Sequence, residues 1–118
     1  MARRSKSEAR PAQKKLQTLF VSFNRPELDQ ILSVYGRHVA TGEWRDYAID
    51  SLADRAVFSI FRRSSEFPLF RVEKHPRLAR RQGAYQVVAA SGQILKRGHT
   101  LANVLKCIDK RIALAMVN

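Results

Sequence analysis

The side chains able to do bond-making chemistry in this chain are few and far apart. His38, His75 and His99 fall in three different segments, with no short spacing among them or to the lone Cys107. A Zn²⁺ site needs three or four converging ligands, and nothing here supplies a pair at i, i+3 or i, i+4, so neither a metal nor another cofactor is expected. A single cysteine excludes an internal disulfide. Beside Ile108, Cys107 reads as a small buried hydrophobe rather than a nucleophile. The acids Glu43, Asp46, Asp50 and Asp54 cluster, and alternation along a strand would put Asp46 and Asp50 on one face. They would stand roughly 13 Å apart, too far to share one bond. A solvated face or ion pairs with Arg45 and Arg55 is the better reading. There is no G-x-S-x-G, Walker loop or dinucleotide fingerprint, and an enzyme is not expected.

The chemistry that the spacing does favour is anion binding. The chain carries a formal charge of +12, and the excess is sorted into blocks. Residues 1–15 hold net +5, residues 62–81 net +5 and residues 96–111 net +4, whereas residues 16–61 hold net −2. Such sorting attracts a polyanion to part of a surface at a cost in self-repulsion. Within the second block, Arg77-Leu78-Ala79-Arg80-Arg81-Gln82-Gly83 is an Arg-dense loop able to form forked hydrogen bonds to phosphates. In the third, Lys96-Arg97-Gly98-His99-Thr100 puts two cations and a glycine just before a helix start, where free amides favour an anion.

These residues need elements to hold them. Met1 to Lys15 is charged and has almost no large apolar side chain, so it cannot offset the entropy of ordering and is expected to be a flexible basic arm. A single α+β domain is expected over residues 16–118. Leu16 to Phe23 is rich in aromatic and β-branched types and predicts a strand. Asn24-Arg25-Pro26-Glu27 has the acceptor, proline and acid of a helix start, and Leu28, Ile31, Leu32, Tyr35 and Val39 recur at helical spacing up to a glycine stop at Gly42. The period then changes. Trp44–Asp50, Arg55–Arg63, Pro68–Lys74, Ala84–Ala90 and Gln93–Arg97 read as an antiparallel meander, with Ser91-Gly92 as a two-residue hairpin turn and Pro68 at a strand start or sheet edge. On Arg55–Arg63, Phe58 shares a face with Ala56 and Ile60, and Phe61 with Val57 and Ser59. His75 to Gln82 is expected as an exposed loop or short helical turn. Thr100 begins a last helix whose apolar stripe is Leu101, Val104, Leu105, Ile108 and Ile112. The order is β-α-β-β-β-β-β-α, a five- to six-stranded antiparallel sheet packed by two helices.

No apolar run reaches the roughly 20 residues that cross a bilayer, and the N-terminus lacks the apolar stretch of a secretory signal, so a cytoplasmic protein without a membrane partner is expected. Ile31-Leu32-Ser33-Val34-Tyr35-Gly36, Gly42 through Asp50, Ala56 through Arg63, Leu78 through Tyr85 and Ile94 through Gly98 together resemble the signature of a family of small basic alphaproteobacterial proteins, a domain of unknown function. The resemblance covers nearly everything after the arm and implies a bacterial cytoplasmic setting. It supplies no activity and no site. The residues themselves point to a non-catalytic nucleic-acid-binding module, for RNA or DNA. Arg3, Arg4, Lys14 and Lys15 of the arm, Arg62, Arg63, Arg77, Arg80 and Arg81, and Lys96, Arg97 and His99 are the expected contacts. The alternative is an interaction subunit that binds an acidic protein or self-associates. Oligomeric state is left open.

Overall fold

The computed structural model describes residues 19–62 and 67–117. The first helix, α1, spans Arg25–Ala40 and starts where the local chemistry requires. Asn24 Oδ1 accepts from Glu27 N at 2.9 Å and Glu27 Oε1 accepts from Asn24 N at 2.7 Å, a complete capping box. Gly42, at φ +83°, follows the end of α1 and turns the chain into the sheet.

Five strands follow: β1 Asp46–Ser51, β2 Ala56–Phe61, β3 Phe70–Lys74, β4 Tyr85–Ala89 and β5 Ile94–Gly98. They pair antiparallel in sequence order, so β1 and β5 are the edges. The helix α2, Leu101–Val117, completes the chain. The expected α+β architecture, a five-stranded antiparallel meander with two helices, is therefore present.

Both helices lie on one face of the sheet. Ala56, Phe58, Ile60, Phe70, Val72 and Val87 bury themselves against Ile31 and Val34 of α1 and Leu101, Val104, Leu105 and Ile108 of α2. Each large side chain in this layer contributes about 2 kcal/mol of transfer free energy. Trp44 is also buried, with rings of Tyr35, His38 and Phe70 within 6.2 Å. Phe58 and its neighbours thus form the helix-packed face, and Val57, Ser59 and Phe61 the other.

Two expectations are corrected. The strand expected over Leu16–Phe23 is absent from its described part: no strand occurs between Leu19 and Phe23, and Leu16 to Thr18 lie outside the described residues. Leu19 and Phe20 are 56% and 48% exposed, so their strand-forming composition finds no partner among the described residues. This segment is tied by single bonds, Val21 N to Leu52 O at 2.8 Å and Lys74 Nζ to Ser22 O at 2.9 Å, before it feeds into the helix cap.

The β4–β5 turn is longer than the expected two residues. Ala89 N donates to Gln93 O and Gly92 N to Ala89 O, both at 2.8 Å, which closes a loop of Ala90, Ser91 and Gly92 with the glycine at φ +93°. A register shift follows between Val87 and Val88, where Leu95 is the extra residue.

Candidate nucleic-acid interface

Antiparallel pairing decides which basic residues can meet. Strands β2, β3, β4 and β5 bring Ala56, Lys74, Tyr85 and Gly98 to one end of the sheet, and Phe61, Phe70, Ala89 and Ile94 to the other. The β3–β4 connection and the start of α2 therefore share an end. Arg77, Arg80, Arg81, Arg97 and His99 gather there. Arg62 follows Phe61 and lies at the opposite end, about 20 Å away at the rise of a six-residue strand. Lys96 pairs with Val87 on the helix-packed face, where its charge acts on the Cys107 thiol. Arg63 and the arm residues Arg3, Arg4, Lys14 and Lys15 lie outside the described residues.

The Arg loop is tightly wound. A 3-10 turn over Pro76–Leu78 begins it, and the Leu78 carbonyl accepts from Arg81, Gln82 and Gly83 N at 2.9 to 3.1 Å. His75 N donates to Ala84 O at 2.6 Å and closes the base. Arg77, Arg80 and Arg81 project outward, exposed, and form no ion pair among the described residues. Gly83, at φ +101°, seats the loop on the end of β5: a Cβ there would fall 2.1 Å from the Gly98 carbonyl carbon. Only glycine permits this approach.

Beside the loop, Arg97 is held in a fixed orientation. Its Nε and Nη2 donate to Gln86 Oε1 at 3.0 and 2.6 Å, and its Nη1 donates to Gln82 Oε1. Both acceptors are neutral amides, so they orient the guanidinium without cancelling its charge. Gln86 is buried and passes the chain of bonds to β3, its Nε2 donating to Glu73 Oε1 at 2.8 Å. The same oxygen accepts from His75 Nε2 at 2.8 Å, and Glu73 Oε2 accepts from Arg71 Nε at 3.1 Å. Burial alone would raise the Glu73 carboxyl; bonds from His75, Arg71 and Gln86 and the Arg71 charge outweigh it and hold the group below the usual carboxylate range.

Glu73, Gln82, Gln86 and His75 were not among the residues expected from sequence. A signal existed: Arg71, Glu73 and Gln86 are polar residues at alternate positions of β3 and β4, and alternation puts them on the face turned away from the helices. What the sequence did not contain was the register that aligns Glu73 with Gln86 and Gln86 with Arg97.

Elsewhere, Asp54 pairs with Arg55 at 3.2 Å, and burial pushes the Cys107 thiol up, as suits a packed side chain. Among the described residues no three His, Cys, Asp or Glu side chains converge as metal ligands would. Nor is any helix there long and apolar enough to cross a membrane. No curated protein and no solved structure matches the chain. The family described as "Protein of unknown function (DUF2794)" matches residues 21–105, which span α1, the whole sheet with its Arg rim and the start of α2; the chain belongs to that family.

Proposed function

We propose that the chain is a non-catalytic nucleic-acid-binding module of the bacterial cytoplasm that meets RNA or DNA through the arginine rim at one end of its sheet. The observation that carries the reading is the pairing of unneutralised charge with fixed geometry. Arg77, Arg80 and Arg81 stand exposed without an acidic partner among the described residues, on a loop held by six backbone bonds. Arg97 is aimed beside them by two neutral amides. Guanidinium groups held apart from carboxylates keep their capacity for bidentate phosphate contacts and have less entropy to lose on binding. His99 and the start of α2 adjoin the rim, and the basic arm adds sequence-independent attraction.

Arg62 and Lys96 belong to this reading only as contributors to the overall field, since they stand away from the rim. Fluorescence titration of labelled single-stranded RNA and duplex DNA at low salt tests the proposal. Binding that weakens at least tenfold in Arg80→Ala/Arg81→Ala supports it. Equal binding by that variant, or no binding of either labelled nucleic acid while an acidic protein is captured from nuclease-treated lysate, contradicts it.

A further inference from the structure

The edge strand β1, on the far side of the sheet from β5, has contrasting chemistry. All six residues of β1 are exposed, and among the described residues only β2 pairs with it, the Val21–Ser22 segment touching just its Ser51 end. Leu52 N donates to Arg55 O at 2.8 Å, and this bond sets the alternation of the ladder. Asp46, Ala48 and Asp50 share their backbone groups with β2, while Tyr47, Ile49 and Ser51 turn theirs to the open side. Tyr47 N fits this assignment, since it donates at 2.8 Å to the Asp46 carboxylate and not to β2. Ile49 and Ser51 are left with outward donors and acceptors that no described residue fills.

The two faces of this edge differ. Toward the helices stand Tyr47 and Ile49, 42% and 44% exposed. Tyr35 of α1 meets Tyr47 edge-on at a centroid distance of 5.0 Å, so Leu32 and Val39, one turn to either side of Tyr35 and also exposed, border the same apolar strip. Toward the other face stand Asp46 and Asp50, neither in an ion pair among the described residues. An incoming strand would meet apolar surface at every second residue and a carboxylate on the alternate side.

We infer that the β1 edge is a docking site for an extended peptide of another protein that alternates apolar with basic residues and adds to the sheet as a sixth strand. Backbone groups at Ile49 and Ser51 supply the pairing, the strip beside Tyr35 and Tyr47 takes the apolar side chains, and Asp46 and Asp50 select Lys or Arg. A second copy of the chain fits poorly. Pairing of two β1 strands gathers four aspartates on one face, and the β5 edge is interrupted by its register shift. Nucleic acid is repelled by the same acids.

The test uses the full chain, a hexapeptide alternating valine and lysine, and amide exchange followed by NMR. The peptide is expected to slow exchange at Ile49 and Ser51 and leave Arg77 to Gln82 unchanged. Ile49→Pro, which deletes an N–H that β2 does not use, is expected to weaken binding about tenfold or more. Asp46→Asn/Asp50→Asn, which keeps the backbone, is expected to weaken it as well, so a poorly folded proline variant leaves the inference testable. No slowing at Ile49 and Ser51, equal binding of a valine–glutamate peptide, or slowing that grows with protein concentration before any peptide is added would overturn it. RNA binding at the rim is read separately, and either result can fail without the other.

Discussion

Glu27 does more than cap its helix. Its Oε1 accepts from Lys74 Nζ at 2.9 Å, and its Oε2 accepts from the Tyr85 hydroxyl at 2.5 Å, so one carboxylate joins α1, β3 and β4. Burial would raise this carboxyl, but the bonds from Tyr85, Lys74 and Asn24 and the Lys74 charge hold it low. Tyr85 moves the other way, pushed up to about 12 by burial and by its bond to the Glu27 carboxylate. Tyr85→Phe removes a bond to a charged acceptor and is expected to cost about 2 kcal/mol in urea unfolding at neutral pH. A carboxyl depressed in the folded state contributes stability above its ordinary value of 4.5 and loses it as pH falls below that value. Glu27 and Glu73 should therefore both weaken the fold in acid, and the gap between wild type and Tyr85→Phe should shrink at pH 3. An undiminished gap would assign the cost to packing. The capping box was legible because Asn24 and Glu27 are three residues apart; the ties to Lys74 and Tyr85 cross 47 and 58 residues and leave no local trace.

Elements were legible where turn and cap chemistry is local. Asn24 and Gly42 bracket α1, and the change from helical to alternating period marks the sheet. Leu19 to Phe23 form no strand because composition favours one without supplying a neighbour to pair with. In the β4–β5 turn, Gly92 was identified as the residue at positive φ, but not the extra residue that a three-residue loop inserts. The loop that carries the arginines is seated on β5 by the close approach of Gly83 to Gly98, beside the Arg97–Gln82 bond. Gly83→Ala combines a left-handed backbone with a backbone clash, and is expected to cost about 2 kcal/mol or more. Because the loop must then lift from β5, the variant should also lose nucleic-acid affinity at temperatures where circular dichroism shows it folded. Unchanged affinity in the folded variant would separate loop seating from binding.

At the scale of the whole molecule, the fold divides the charge that the sequence presents in blocks. Arginines collect at the β3–β4 loop and the end of β5, while Asp46 and Asp50 mark the opposite edge strand. Part of the candidate site was legible, because Arg77, Arg80, Arg81 and Arg97 do gather. Arg62 could not be separated from them by sequence: it lies near the Arg loop along the chain, and only antiparallel pairing sends it to the far end of the sheet. Arg62→Ala is accordingly expected to change nucleic-acid affinity no more than about twofold, the scale of a distant screened charge. The most direct test of the central claim is the slope of log affinity against log salt for duplex DNA, measured on the full chain and on Arg77→Ala/Arg80→Ala/Arg81→Ala. With six phosphate contacts the native slope should be about −5, and loss of three should bring it to about −3. A flat native slope, or the same slope in both proteins, would contradict the account.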